Sequence, residues 1–354
     1  MVLTTKRGAI AAVVAAVVVA GLAACSPADS VAQSTPKAKS TSSSANGPAT
    51  MTDVTLQIDG AAVPYYAPLY SAIDQGYFAK HNLNVTLAYA AGSDILQNVA
   101  AGNVQFGFPN GDSVITAAGN GVPVTVVHTT YQQGIGALMF NKDTSGIKSV
   151  ADLKGKKIAV TDLGSPNYIQ LQAMLASAKL SLSDVTVSTI GSGAIVQALQ
   201  SGQVDAIVFS RLRYYALQAA GFPVGQILSD KYLPSFGNIL VTSPNYLKTN
   251  PAVVKGFTEA LNEGIGYVTD NTASAVSAAI TKYAPTFVGQ DAAITKVVTD
   301  VYIADLWHSA DTTKHGVGYG DLSRWQASID EQAKYKLIPA SFKAKTLVVE
   351  PGDK

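Results

Sequence analysis

The feature that most constrains this chain is an internal repeat. Val85-Thr86-Leu87, Ile95, Gly102-Asn103-Val104 and Pro123-Val124 recur as Val185-Thr186-Val187, Ile195, Gly202-Gln203-Val204 and Pro223-Val224, each pair one hundred positions apart. Self-similarity at a fixed offset means that one structural unit is built twice. In each copy the order is strand, loop, helix, glycine, strand, loop, helix, Gly-x-Pro, strand. Ser93 or Asp94 can cap a helix whose Ile95, Leu96 and Val99 share a face, and Gly102 can end it in the left-handed conformation. Ile195, Leu199 and Gly202 take the same parts in the second copy. The short apolar runs at 104–108 and 204–209 read as buried strands. Upstream, Leu56-Gln57-Ile58-Asp59-Gly60 leads into a helix through Leu69, Ile73 and Tyr77. Ile158-Ala159-Val160-Thr161-Asp162 leads in the same way into a helix through Ile169 and Leu175.

Strands alternating with helices at this spacing imply parallel sheets with right-handed crossovers. The fold expected is α/β: two doubly wound lobes joined by a two-strand hinge, 137–140 going out and 238–242 coming back. Two crossings let such a neck bend without the lobes separating. The first lobe comprises 53–140 and 238–354, the latter largely helical with Phe257, Leu261 and Ile265 at helical spacing; the second comprises 141–237. A length of 354 residues exceeds what one core supports, and 47% hydrophobic with 14% charged residues suits buried parallel sheets.

A formal charge of +1 supplies no basic field for nucleic acid. One cysteine excludes a disulfide within the chain, and the four histidines show no metal-ligand spacing. No GxSxG, GxxxxGK[ST] or GxGxxG motif occurs, so neither catalytic residues nor a metal or cofactor is expected. Lys6 and Arg7, an apolar run and then Leu22-Ala23-Ala24-Cys25 follow the order of a secretory signal. Leu-Ala-Ala-Cys resembles the bacterial lipobox, which implies a signal peptide over 1–24 and lipidation of Cys25. Residues 25–52 are rich in Ser, Thr, Ala, Pro and Lys and read as a flexible tether.

Pro68-Leu69-Tyr70-Ser71-Ala72 with Gly76-Tyr77-Phe78, Asp152-Leu153-Lys154-Gly155-Lys156-Lys157-Ile158 and Ala198-Leu199-Gln200-Ser201-Gly202-Gln203-Val204-Asp205-Ala206 resemble the type II periplasmic binding proteins. The branch is the one serving nitrate, sulfonate, taurine, riboflavin and thiamine-pyrimidine importers. The resemblance implies a monomer that holds a small-molecule solute between its lobes and presents it to an ABC permease and, through it, an ATPase. With the lipobox it implies anchorage on the extracytoplasmic face of the cell membrane. Where several pyrimidine-binding relatives carry Trp-x-Pro, this chain has Gly60-Ala61-Ala62-Val63-Pro64-Tyr65-Tyr66, without tryptophan.

Ligands of paired α/β units bind beyond the carboxyl ends of the strands. Ser165-Pro166-Asn167 reads as an N-cap and first helical residue whose backbone N–H groups face a cleft. Tyr65, Tyr66, Phe108, Tyr168 and Phe209 follow strand ends and offer an aromatic wall, with Pro64 beside them as a further ligand contact. Asn110 and Asp112 follow Phe108 as Ser210 and Arg211 follow Phe209. Arg211, more than Arg213, offers a donor fork to an oxyanion. Ser192, beside Gly193, opens the second helix of the second copy. Asp59 and Asp162 close their strands at corresponding places, as loop caps or as acceptors for amine or amide groups.

Overall fold

In a computed structural model residues 50–349 are described; the expected signal peptide, Cys25 and the expected tether up to residue 49 lie outside them. The described residues hold ten strands: β1 Thr52–Asp59, β2 Leu83–Ala90, β3 Phe106–Phe108, β4 Thr125–His128, β5 Gly136–Asn141, β6 Lys157–Val160, β7 Thr186–Thr189, β8 Ala206–Ser210, β9 Val224–Leu228 and β10 Leu240–Thr242. They form two five-stranded sheets of identical plan, ordered β2-β1-β3-β10-β4 and β7-β6-β8-β5-β9. The repeat is therefore a repeat of topology. β1 pairs parallel with β2 and β3, and β6 pairs parallel with β7 and β8.

Each sheet also takes one antiparallel strand from outside its own copy. β10 lies between β3 and β4, and β5 lies between β8 and β9. This corrects the expected connector at 137–140. Ala137, Leu138, Met139 and Phe140 are buried in a central strand paired on both edges, as an unbroken apolar run requires. The crossings are instead the irregular segments 129–135 and 229–239. They are tied together by Tyr131 N–H donating to Asn238 O at 3.0 Å and Gly237 N–H to Gln133 O at 2.8 Å. Asp230 Oδ1 fastens the neck, accepting from Gly134 N–H at 3.0 Å and from Arg324 at 2.7 Å.

Helix Gly92–Ala101 begins before the expected caps, behind Ala91, and ends at Gly102 with φ +78°. Its Ile95, Leu96 and Val99 are buried. The helix through Leu69 stops at Asp74; Gly76, in the left-handed region, separates it from a short turn starting at Tyr77. The long helix Pro251–Asp270 buries Phe257, Leu261 and Ile265 against helix Ala67–Asp74 of the first lobe. That packing is close enough for any side chain on Gly264 to strike the Pro68 carbonyl. Downstream, Val298–Leu306 is a π-helix, a form usually confined to single turns and common where function requires an awkward projection. Among the described residues no helix is long and apolar enough to cross a membrane.

Candidate functional site

Between the sheets, beyond the carboxyl ends of β1, β6 and β8, lies a cavity of about 350 Å³. Both lobes wall it. Two interlobe packings flank it: helix Gly111–Gly119 against Pro166–Ser177, and Leu212–Ala219 against Asp291–Val297.

The floor is aromatic. Tyr65 stacks on Tyr302 at 5.2 Å between centroids, and Tyr131 meets Tyr302 edge-on at 5.5 Å. Tyr65 and Tyr66 are presented by the 3₁₀ turn Pro64–Tyr66, in which Pro64 fixes the first φ. Tyr66 is buried and its hydroxyl donates to Asp59 O at 2.7 Å. Burial pushes the phenols of Tyr65, Tyr66 and Tyr302 above their usual range, so all are neutral. Phe209 extends the wall on the second lobe.

The polar groups stand above this floor. Ser165 caps helix Pro166–Ser177: its hydroxyl accepts from Tyr168 N–H at 3.3 Å and donates to Asp162 O at 2.7 Å. Such a cap contributes about 1 kcal/mol to the helix. Asp59, at the end of β1, accepts from Asn110 Nδ2 at 3.2 Å. Its carboxyl is pushed up to about 6, first by burial and further by the charge of Asp162 across the cleft, with hydrogen bonds from Asn110, Gly92 and Gly60 opposing. Asp162 Oδ1 accepts from Gly164 N–H at 2.9 Å.

Tyr65, Tyr66, Asn110, Ser165, Asn167, Ser192 and Phe209 line the cavity. Pro64, Phe108, Asp112, Tyr168 and Arg211 do not. Pro64 sets the turn from which its two tyrosine neighbours project. Phe108 is core, packed edge-on beneath Tyr66 at 6.2 Å and Tyr131 at 6.0 Å. Tyr168, one residue past Asn167, turns onto the second lobe's core. Asp112 lies behind the wall, where its carboxylate accepts from Gln170 Nε2 of the other lobe at 2.7 Å. Burial raises the Asp112 carboxyl to about 7. Arg211 is buried at the N-cap of helix Leu212–Ala219, its backbone N–H donating to Ile135 O at 2.7 Å. Two residues further round that helix, Arg213 lines the cavity in its place. It stands 5.6 Å from the Phe209 ring and 5.8 Å from that of Phe287 in the first lobe.

Tyr131, Tyr302, Gln170 and Asn238 line the cavity without having been expected there. Gln170 carried a usable signal, since it lies one helical turn beyond Asn167 on the same face. Tyr302 carried none, because the π-helix that aims it has no distinctive sequence period. Among the described residues no cluster of His, Cys, Asp or Glu could hold a metal ion.

Chemically, the arrangement can stack a flat molecule on neutral rings and hold it by hydrogen bonds from both lobes. The comparisons agree with this architecture. The riboflavin-binding protein RibY of Chloroflexus aurantiacus is 27% identical over 295 residues, covering 82% of this chain and 83% of its own. A 4-amino-5-hydroxymethyl-2-methylpyrimidine phosphate synthase of Aspergillus parasiticus is 26% identical over 236 residues, 63% of this chain and 68% of its own. In fold, the alkanesulfonate-binding protein SsuA of Xanthomonas axonopodis pv. citri, solved bound to MOPS, superposes with a TM-score of 0.64 at 19% identity. It covers 86% of this chain and all of that one. The two-lobed α/β fold is thus that of the type II periplasmic binding proteins. Residues 63–275 match the model of the family described as NMT1/THI5 like, and the chain belongs to that family.

Proposed function

We propose that this protein is the extracytoplasmic substrate-binding protein of an ABC importer, which captures a small organic solute between its lobes and presents it to a permease. Residues 1–24 are read as the signal peptide, Cys25 as the acylated anchor and 25–52 as the tether. The observation that carries the reading is the cavity shared by two lobes joined by two irregular crossings of the chain. A guest touching both walls favours the approach of the lobes, and its binding energy shifts the population toward that form. The volume of about 350 Å³ suits a molecule of vitamin or drug size rather than nitrate, and the tyrosine floor suits one with a flat face. RibY, named for riboflavin, supports the same class.

The family also contains proteins named as pyrimidine synthases, which gives catalysis on this fold as the second reading. Turnover separates the two. Purified protein incubated with riboflavin or a 4-aminopyrimidine should return the compound unchanged, with a higher melting temperature and a smaller radius of gyration while it is bound. Conversion of the compound, or no response of either quantity to any member of a nutrient panel, refutes the receptor. The anchor is tested separately: Cys25→Ser should move the protein from the membrane fraction to the soluble one.

A further inference from the structure

One contact across the lobes leaves two buried oxygens without a donor. Asp112, in the first turn of helix Gly111–Gly119 of the first lobe, is 1% exposed, and Gln170, on helix Pro166–Ser177 of the second, is 2% exposed. Gln170 Nε2 donates to Asp112 Oδ2 at 2.7 Å. The other atom of each group, Asp112 Oδ1 and Gln170 Oε1, is buried without a partner. Two bare acceptors on one carboxyl–amide pair are costly if the carboxyl is ionised. One proton removes both deficits: on Oδ1 it makes a donor, and the amide oxygen is the acceptor that donor needs. A carboxylic acid and a primary amide then meet through two hydrogen bonds, N–H to Oδ2 and O–H to Oε1.

The surroundings favour that proton. Burial raises the Asp112 carboxyl to about 7; the charge of Asp230 adds to the rise, while Ser235, Gln170 and Arg324 oppose it. Asp230 and Arg324 are themselves paired at 2.7 Å, so their effects on Asp112 largely offset. Lys231, beside Asp230, is exposed. Helix Pro166–Ser177 has no charged side chain, and on helix Gly92–Ala101 the one charge, Asp94, is exposed. On helix Leu322–Lys334, Asp330 accepts from Gln326 and Ser341, and Glu331 pairs with Lys334. Gln332 of that helix donates to the Asp112 carbonyl at 3.1 Å, which keeps Asp112 with the first lobe when the lobes part. We propose that Asp112 and Gln170 form a proton-dependent latch, a carboxylic acid–amide pair that holds the lobes together and is released when they part and Asp112 gives its proton to water. The closed form holds a proton that the open form, its carboxyl hydrated and near 3.8, has already released. Closure is therefore favoured at acid pH, and that advantage is lost as pH climbs from about 4 to about 7. This rests on the receptor reading above and adds its regulation: solute is held more tightly in acid surroundings than in neutral ones.

The test is X-ray scattering of the full chain without solute at pH 5 and pH 8. The wild type should be more compact at pH 5, with a closed-to-open ratio about tenfold or more above that at pH 8. In Asp112→Asn an amide N–H replaces the acid O–H, so the particle should stay compact at both. Asp112→Ala removes the pair and should be open at both; a thermal melt checks that each variant folds. Asp59→Asn, which removes the raised carboxyl of the cavity itself, should leave most of the wild-type response in place. A wild-type radius of gyration equal at the two pH values, a response that survives in Asp112→Asn, or one that disappears in Asp59→Asn overturns the latch and leaves the receptor reading intact. Titration with riboflavin and the nutrient panel at pH 8, where the latch is released, decides that reading separately. If no compound binds or compacts the particle there, the receptor reading falls, while the radius without solute still decides the latch.

Discussion

Asp112 offers a quantitative test of how the lobes meet. It sits at 1% exposure in the first turn of helix Gly111–Gly119, and Gln170 of the other lobe donates to it at 2.7 Å. Burial raises its carboxyl from 3.8 to about 7, with the Asp230 charge adding to the rise and Ser235, Gln170 and Arg324 opposing it. A carboxyl raised in the folded state holds a proton that the unfolded chain has already released. It therefore stabilises the fold below the unfolded value, and that stability is lost as pH climbs from about 4 to about 7. Between pH 5 and pH 7 the folded state holds about one extra proton over two units, at roughly 1.4 kcal/mol each, so the loss by pH 8 is roughly 3 kcal/mol. The amide of the Asp112→Asn variant keeps an oxygen for Gln170 and has no charge to desolvate. It forgoes only a carboxylate near a helix N-terminus, worth about 0.3–1 kcal/mol. In melts at pH 5 and pH 8, the drop in melting temperature should be smaller for Asp112→Asn than for wild type by about 5 °C, taking about 2 °C per kcal/mol for a fold of this size. Equal drops in the two proteins would refute the claim that Asp112 is buried as the structure places it.

Four further outcomes follow from other parts of the fold. Asp59, raised to about 6, should behave like Asp112 over a narrower window: Asp59→Asn should reduce the drop in melting temperature between pH 5 and pH 8 by ~3 °C. Gly264→Ala forces a methyl into the Pro68 carbonyl and should destabilise by about 1–3 kcal/mol in urea unfolding, with the far-UV circular dichroism of the folded fraction unchanged. Arg324→Ala removes the cation that holds Asp230 and the Ser235 carbonyl, so hydrogen exchange should accelerate at residues 229–239 before it does in either sheet. Tyr302→Ala removes the stack under Tyr65 and should weaken a flat ligand by at least tenfold in calorimetric titration, whereas a small aliphatic guest should be little affected.

Most of the architecture was legible because the repeat is written in residues with few alternatives. Gly102 and Gly202 occupy left-handed positions that end equivalent helices, and the apolar runs before Asp59 and Asp162 are strands in both copies. The error at 137–140 arose because an apolar run looks the same whether it links two sheets or completes one; only its pairing tells them apart. Of the residues expected to touch a ligand, those set by a local cap or turn, Ser165 and Tyr65 among them, line the cavity. Arg211 was chosen over Arg213 because a strand ending one residue earlier or later rotates the following helix and exchanges which arginine faces the cleft. Tyr131 and Tyr302 come from an irregular crossing and a π-helix, neither of which has a period to read, and both reach the cavity only through tertiary packing.

The interchange of β5 and β10 governs when each half can become whole. The first sheet needs β10 between β3 and β4, so it stays open until the chain has been made past Thr242, more than a hundred residues after β3. Contacts so distant in sequence close late and slowly. A fragment ending before residue 240 would leave β3 and β4 as unpaired borders, ready to stick to a neighbour. The first half is therefore not a free-standing module, whereas the second sheet is drawn from the consecutive strands β5 to β9, and a split version of this protein would have to cut around β10 rather than between the repeats.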